Sequence, residues 1–311
     1  MIETIEEENE LQNDELIRLV TGNANISSQY VIFQNIRDDY YAINVAKVDE
    51  LIMNKNLNMV KSTQKDSLIQ GVAKIRENMI TIVNFDRWLG LEEADAKEYK
   101  LIMLCHYSNK RLGLIIKKVV GIQSIDIKNM SQASQKDDKT AYIIELKHNQ
   151  EKNLCDIFDS DRLIFDIFPT MGKSNINSIN NINNRVKMDK TILFAEDSKL
   201  IQEYVRKLFE KMDCQYEIFD NGKALLDKLE SSNLNDIGLI VSDIEMPIMD
   251  GLTLLKNIKN KFGDFELPVI INSNMANDAV IKSSLDLGAV AVVNKLDMQK
   301  LQESIVRYYK K

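Results

Sequence analysis

Residues 239–251 read LIVSDIEMPIMDG, and this stretch decides how the second half of the chain folds. The apolar run Leu239–Val241 is typical of a buried strand, and the run ends at Ser242 and Asp243. In open parallel sheets, ligands bind at the carboxyl ends of the strands, near the point where the strand order reverses. We therefore expect Asp243 to lie at a functional site.

The same strand pattern recurs on both sides of this stretch. Short apolar runs that suit buried strands occupy Ile192–Ala195, Tyr216–Phe219, Leu239–Val241, Val269–Ile271 and Val290–Val293. Amphipathic segments separate them, with apolar residues on one helical face at Ile201, Val205, Leu208 and Met212 and again at Leu301, Ile305 and Tyr308. Five successive strand–helix units predict an α/β domain with a doubly wound parallel sheet, over residues 190–311.

Polar side chains follow several of these predicted strands. Glu196 and Asp197 end the first, Asp243 the third, Ser273 the fourth and Lys295 the fifth. Three carboxylates in one crevice repel each other unless a hard cation neutralises them, and carboxylates with water suit Mg²⁺. With the cation bound, Asp243 can attack a phosphoryl donor, Lys295 can offset charge on the phosphoryl oxygens, and Ser273 can donate a hydrogen bond to them.

Each of these residues alone is commonly a helix cap or a solvated loop group, but their occurrence together at four strand ends indicates function. At these positions residues 190–311 resemble the response-regulator receiver family, including residues 242–251, SDIEMPIMDG. The resemblance implies a flavodoxin-like fold, phosphorylation of Asp243, and Mg²⁺ bound by the acidic pair, Asp243 and the backbone carbonyl of Glu245. Val292 stands where the family often has an aromatic switch residue, and Leu296 replaces its usual proline.

A rival aspartyl-phosphate chemistry, that of the haloacid-dehalogenase phosphatases, requires a second Asp two residues after the nucleophile as general acid. Glu245 occupies that position. In that rival the nucleophile also ends the first strand of the domain, whereas Asp243 ends the third predicted strand. The receiver interpretation is favoured.

The first half of the chain is predicted to be rich in β-strands. Strand candidates are Tyr30–Phe33, Tyr40–Asn44, Met79–Asn84, Lys100–Tyr107, Leu112–Ile116, Tyr142–Leu146 and Leu154–Phe158. Short helices are expected at Asp14–Val20 and Asp161–Phe168, the first within an acidic N-terminal segment over residues 1–26. Residues 172–189 are rich in Asn and Ser, and we expect them to form a flexible linker.

Residues 27–171 resemble the CheW-like coupling domains, most clearly over residues 70–85, QGVAKIRENMITIVNF. In this stretch Glu77 and Asn84 replace the glycine and the aspartate of the family pattern. The resemblance implies two small β-barrels that join a histidine autokinase (CheA-type) to the cytoplasmic tips of chemoreceptors, with Arg76 in the partner contacts. From its residues alone, the segment is a binding module, with Arg76–Asn78 forming a hairpin turn.

A coupling domain followed by a linker and a receiver resembles the CheV-type chemotaxis coupling proteins. This resemblance implies that the protein is an adaptor regulated by phosphorylation of Asp243 and that it is not a turnover enzyme. The alternative is a phosphate sink that drains phosphoryl groups from the kinase, with the first domain only a tether. A third hypothesis, an unrecognised catalytic site in the β-rich domain, has no residue constellation to support it.

Composition limits the partners and the compartment. The net charge of the 311-residue chain is -7, with no basic stripe, so we expect no nucleic-acid partner. The start of the chain carries Glu3, Glu6, Glu7, Glu8 and Glu10, unlike a signal peptide, and its longest apolar runs are far below the roughly 20 residues of a membrane span. The three cysteines are widely spaced and predict reduced thiols. We expect a cytoplasmic protein, held at membrane-associated chemoreceptor arrays by its partners.

Overall fold

The computed structural model describes residues 29–63, 67–107, 110–125, 130–132, 139–148, 151–180, 188–263, 267–274 and 278–310. The chain divides into two compact units, residues 1–163 and 164–311. The predicted acidic segment 1–26, with its helix at Asp14–Val20, lies outside the described residues. No described helix combines the length and the apolar character needed to cross a bilayer.

The first unit is built from twelve described strands in two sheets. The strands are β1 (Gln29–Gln34), β2 (Tyr40–Asn44), β3 (Val48–Met53), β4 (Met59–Lys61), β5 (Ile69–Ile75), β6 (Asn78–Asn84), β7 (Leu101–Tyr107), β8 (Lys110–Ile116), β9 (Lys118–Ser124), β10 (Met130–Gln132), β11 (Thr140–His148) and β12 (Glu151–Phe158). One sheet has the order β10-β11-β12-β2-β1-β9 and the other β3-β7-β8-β6-β5-β4. All seven sequence-based strand candidates lie within or largely overlap these strands.

A cluster of aromatic rings forms the centre of this unit. Helix α1 (Phe85–Leu89) follows β6 and places Phe85 and Trp88 against Phe33 of β1, Tyr41 of β2 and Phe158 of β12. The ring centroids of these pairs are 4.9 to 5.7 Å apart. Such contacts are favourable beyond the apolar area that they bury, so they join the end of one sheet to the face of the other.

The hairpin predicted at Arg76–Asn78 is present. Ile75 pairs with Asn78 at the end of an antiparallel β5–β6 ladder, and Arg76 adopts a positive φ of 53° in the turn. The Arg76 side chain is exposed, and its guanidinium lies 2.8 Å from the Glu50 carboxylate. An exposed ion pair of this kind adds little stability.

The second unit contains a five-stranded parallel sheet. Its strands are β13 (Thr191–Ala195), β14 (Tyr216–Phe219), β15 (Ile237–Ser242), β16 (Val269–Asn272) and β17 (Ala291–Val293), in the order β14-β13-β15-β16-β17. The helices are α2 (Ser160–Ile167), whose first residues belong to the first unit, α3 (Pro169–Asn180), α4 (Lys199–Met212), α5 (Gly222–Ser231), α6 (Gly251–Phe262), α7 (Asp278–Asp286) and α8 (Met298–Tyr308). The order reverses between β13 and β15, so the crevice expected from the sequence lies at the carboxyl ends of these two strands.

Apolar side chains on the two faces of this sheet form separate cores. Helices α4 and α8 pack on one face, against a row that includes Phe194, Val241 and Ile270. Helices α5 and α6 pack on the other face, against Leu193 and Ile271 among others. Successive side chains of a strand point to opposite faces of the sheet. A residue just beyond a strand end is therefore assigned to the same face as the residue two positions before it.

Helix α3 occupies residues that the sequence predicted to be a flexible linker, and over residues 172–180 that prediction is wrong. Ile179 is buried in the same core as α4 and α8, and Met171 packs beside it. Gly172 allows the helix to approach α4, since a Cβ added there would lie 2.6 Å from the Tyr204 hydroxyl. Tertiary contacts thus override the weak helix propensity of the Asn and Ser residues. Of the remaining linker residues, 181–187 lie outside the described part, and the domain boundaries 27–171 and 190–311 stay a prediction.

The three cysteines are free thiols, as the sequence predicted. Cys105 and Cys155 are buried, and burial raises the pKa of both thiols. Cys214 is half-buried, and burial raises its pKa to about 11. All three thiols therefore stay protonated and unreactive near neutral pH.

The packing of α3 can be tested by truncating one buried and one exposed isoleucine of the same helix. Ile179→Ala should lower the free energy of unfolding by about 2 to 5 kcal/mol, because the site at 4% exposure is closely packed. Ile176→Ala, at 39% exposure, should change it by less than about 1 kcal/mol. Urea unfolding of the full chain, followed by circular dichroism at 222 nm, reports on this core because most of the described helices belong to the second unit. Equal effects of the two substitutions would show that α3 is not docked.

Candidate functional site

An acidic cluster lies where the strand order of the second unit reverses. Glu196 and Asp197 follow β13, and Asp243 follows the neighbouring strand β15. One carboxylate oxygen from each of the three residues lies within 4.8 Å of the others. Glu196 and Asp243 are buried at 0% and 1% exposure, and Asp197 is partly buried. The structure therefore brings together the three carboxylates that the sequence predicted.

The ammonium group of Lys295 bridges two of these carboxylates. Its Nζ atom lies 2.8 Å from Oε1 of Glu196 and 2.8 Å from Oδ2 of Asp243. Lys295 follows the edge strand β17, and its side chain is almost completely buried. A buried charge without a partner is strongly destabilising, so the ammonium offsets the repulsion between the two carboxylates.

Backbone contacts fix the position of Asp243. Its N–H donates to the carbonyl of Ala195 at 2.9 Å, which continues the β13–β15 ladder past the strand end. The Ile244 N–H donates to Oδ1 of Asp243 at 2.7 Å, so one carboxylate oxygen contacts the backbone and the other contacts Lys295. The Ser242 hydroxyl donates to the Asp243 carbonyl at 2.8 Å.

The loop after Asp243 folds closely over its backbone. The Gly251 N–H donates to the Ile244 carbonyl at 2.9 Å, and Ile248 adopts a φ of 70° within the loop. A Cβ at Gly251 would lie 1.9 Å from the Asp243 carbonyl oxygen, so only glycine fits. Asp250 caps helix α6 by accepting from the Thr253 N–H. The motif at residues 242–251 is thus a tight turn that sets the direction of the Asp243 side chain.

Sequence reasoning missed Gln202, which supports the acidic pair from helix α4. Its amide nitrogen donates to the Glu196 carbonyl at 2.6 Å and to Oδ1 of Asp220 at 2.8 Å. Asp220 also pairs with Lys199 at 2.5 Å. A signal was available, since Ser198 is a good N-cap residue and Gln202 follows it by about one helical turn.

The four remaining residues that the sequence singled out lie in four different places. Ser273 follows β16, is fully buried, and donates its N–H to the Val293 carbonyl at 3.0 Å. Glu245 follows Asp243 by two residues, in the loop over the site. Val292 packs in the core on the α5–α6 face. Arg76 belongs to the first unit.

The donor set suits a hard divalent cation. Carboxylate and carbonyl oxygens are the ligands that Mg²⁺ prefers, and Mg²⁺ usually keeps several waters beside one or two carboxylates and the phosphate oxygens of a substrate. Glu196, Asp197 and Asp243 can supply such ligands, and the half-exposed Asp197 opens the cluster to solvent. The acidic cluster therefore fits Mg²⁺.

Comparison with known proteins assigns both units. Residues 29–167 match the family model of the CheW-like domain, and residues 192–306 match that of the response regulator receiver domain. Chemotaxis proteins CheV2 and CheV1 of Helicobacter pylori are 28% and 23% identical to the chain, over 85% and 87% of it and 88% and 89% of their own sequences.

Two solved structures resemble the separate units. The scaffolding protein TtCheW from Thermoanaerobacter tengcongensis covers 43% of this chain and 90% of its own, with a TM-score of 0.36 and 17% identity. A CheY-like receiver domain protein from Methanospirillum hungatei JF-1 covers 39% and 93%, with a TM-score of 0.35 and 24% identity.

A CheW-like domain joined to a receiver domain defines a class of two-component signalling adaptors. The predicted fold class, a β-rich CheW-like domain followed by a doubly wound receiver, is confirmed. Because the matches to CheV1 and CheV2 extend across both domains, the chain is a CheV-type chemotaxis protein.

The contact between Gly251 and Asp243 makes a testable prediction about the site loop. Gly251→Ala should lower the free energy of unfolding by about 1 to 3 kcal/mol, because the added methyl group must displace the Asp243 carbonyl. Gly263→Ala is the matched control, since an added Cβ there meets no described atom within 4 Å. It should be neutral or stabilise by up to about 1 kcal/mol. A Gly251→Ala variant as stable as the control would contradict the close approach.

Proposed function

We propose that this protein is a chemotaxis adaptor whose contacts with a histidine autokinase and with chemoreceptors are controlled by Mg²⁺-dependent phosphorylation of Asp243. The observation that carries the proposal is the buried cluster of Glu196, Asp243 and Lys295 in the same chain as a CheW-like domain. We take residues 27–171 as the coupling domain and 190–311 as the receiver.

In the proposed reaction, a carboxylate oxygen of Asp243 forms a bond to the phosphorus atom of a phosphohistidine on the kinase. The phosphorus–nitrogen bond breaks, its electron pair stays on the imidazole nitrogen, and that nitrogen takes up a proton. The product is an acyl phosphate on Asp243, which water hydrolyses by attack at phosphorus. The receiver catalyses its own phosphorylation and dephosphorylation, so the protein needs no separate turnover activity.

Each residue of the site has a distinct part in this scheme. The Ile244 N–H holds Oδ1 of Asp243, which orients the carboxylate. Lys295 already lies 2.8 Å from Oδ2, so its charge is in place to offset the negative charge of the transferred group. Ser273, at the end of β16, supplies a hydroxyl for a phosphoryl oxygen. The three carboxylates and the Glu245 backbone carbonyl would hold Mg²⁺, which would supply further positive charge to the site when bound.

The coupling domain supplies the partner contacts. Arg76 is 76% exposed at the tip of a hairpin, where its ion pair with Glu50 leaves the guanidinium largely open to solvent. We propose that this hairpin contacts the kinase or a receptor tip, and that these contacts hold the protein in the cytoplasm at receptor arrays. The alternative, a phosphate sink, keeps the same chemistry at Asp243 but needs no change in these contacts.

The phosphorylation step can be tested with a small phosphodonor such as acetyl phosphate. The full chain with Mg²⁺ should acquire one acid-stable, base-labile phosphoryl group, detectable by intact-mass spectrometry. Asp243→Asn should abolish the label, and a chelator should prevent it. Asp227→Asn, which changes an exposed carboxylate on helix α5, should label like the unmodified protein. Undiminished labelling of Asp243→Asn would place the phosphoryl group elsewhere.

The regulatory step can be tested by titrating a reconstituted kinase–receptor assembly with the full chain. Coupling free energies between sites are typically about 1 to 3 kcal/mol. Adding the phosphodonor should therefore change the affinity of the chain for the kinase–receptor assembly by roughly 5- to 150-fold. Asp243→Asn should show no response to donor. If donor labels Asp243 but leaves the affinity unchanged, regulated coupling fails and the phosphate sink becomes the better account.

A further inference from the structure

Asn272 is a buried polar residue to which neither the sequence motifs nor the proposed function gives a part. It is the last residue of β16, directly before Ser273, and its exposure is 0%. Neither its amide nitrogen nor its amide oxygen has a hydrogen-bond partner. Buried amides are nearly always hydrogen-bonded, and an unsatisfied one costs free energy, so this side chain calls for an explanation.

The register of the sheet places Asn272 beside Asp243. Phe194, Val241 and Ile270 lie in register on neighbouring strands and belong to the core on the α4–α8 face. Two residues further along each strand, the same row and face hold Glu196, Asp243 and Asn272. The register also pairs Asn272 with Val293 of β17.

The side chain of Lys295 passes close to the end of β16. Lys295 follows β17, yet its ammonium reaches Asp243 beyond β15 and Glu196 beyond β13. Strand β16 lies between β17 and β15, so the lysine side chain crosses the end of the strand that carries Asn272. Asn272 thus lies at the end of the strand that separates β17 from β15, next to Asp243 in the register of the sheet, and its amide makes no hydrogen bond in the arrangement that the structure describes.

We propose that Asn272 is a positioning residue that favours the phosphorylated state of the receiver. This inference rests on the proposed phosphorylation of Asp243. A phosphoryl group adds about two negative charges and draws the Lys295 ammonium toward its oxygens. The amide nitrogen of Asn272 then donates to an oxygen of the phosphorylated side chain, and the amide oxygen accepts from the relocated ammonium.

The energetic consequence follows from comparing the two states. An unsatisfied amide destabilises the unphosphorylated form, and the same amide stabilises the phosphorylated form once it is hydrogen-bonded. A group with different interaction free energy in two states shifts the equilibrium between them. Asn272 therefore raises the phosphorylated fraction and slows hydrolysis of the acyl phosphate.

The test compares Asn272→Val with Asn272→Thr in the full chain, since Val and Thr have the same shape but only Thr keeps a hydroxyl. Each protein is labelled with acetyl phosphate and Mg²⁺, the donor is removed, and loss of the label is followed by intact-mass spectrometry. Asn272→Val should lose the label at least about fivefold faster than the unmodified chain, while raising the thermal midpoint by about 2 to 4 °C. Asn272→Thr should restore part of the lifetime.

Ile270→Val serves as the control, because it removes one methylene from the same face without removing a polar group. Its label should be lost at the unmodified rate. Equal lifetimes for Asn272→Val and the unmodified chain would overturn the role of Asn272 while leaving the phosphorylation of Asp243 intact. A lower thermal midpoint of Asn272→Val would also overturn it, since the amide would then be a structural group. An unmodified chain that acquires no label would overturn both proposals.

Discussion

The receiver unit depends on one buried ammonium group. Three carboxylates converge at the carboxyl end of the sheet, and Lys295 neutralises two of them at 2.8 Å. Without it, Glu196 and Asp243 would be buried anions side by side, at a cost that a domain of marginal stability can hardly bear. The Lys295 ammonium comes from the end of β17, which is separated from β15 by β16. The strand order from β13 to β17 is therefore needed to bring the lysine to Glu196 and Asp243. The same ammonium is placed where a phosphoryl group would add its charge.

Much of this arrangement could be predicted from the sequence, because a parallel sheet converts linear spacing into proximity. Each apolar run predicted a strand, and the polar residue after the run was therefore expected at the carboxyl end of that strand. Because these ends meet at one edge of the sheet, Glu196, Asp197, Asp243 and Lys295 were expected to lie together. In the first unit, seven of the twelve described strands were predicted, and β3, β4, β5, β9 and β10 were missed. Strand β3, whose sequence VDELIM mixes acidic and apolar residues, was missed because its pairing with β7 makes up for a weak local pattern.

What the sequence could not disclose is which polar residues are buried. Gln202 and Asn272 are ordinary residues for a helix surface and a loop, and only tertiary structure places them at 6% and 0% exposure beside the acidic site. Helix α3 is the converse case. Its Asn and Ser residues are typical of a linker, yet Met171 and Ile179 are enough to attach it to the core of the receiver unit. Composition averages over a segment, whereas docking depends on a few contacts.

Helix α4 lies against both the acidic site and helix α3. Near its start, Ser198 donates its N–H to Oε1 of Glu196 and Gln202 binds the Glu196 carbonyl, so this end of the helix follows the geometry of the acidic site. Two residues after Gln202, Tyr204 stacks on Phe165 with ring centroids 5.2 Å apart and lies against Gly172 of α3. Coupling requires packed elements that respond together, and a short rigid helix meets that requirement better than a single rotating side chain. Contacts of this kind therefore run without a break from Glu196 through α4 to α3 within the second unit.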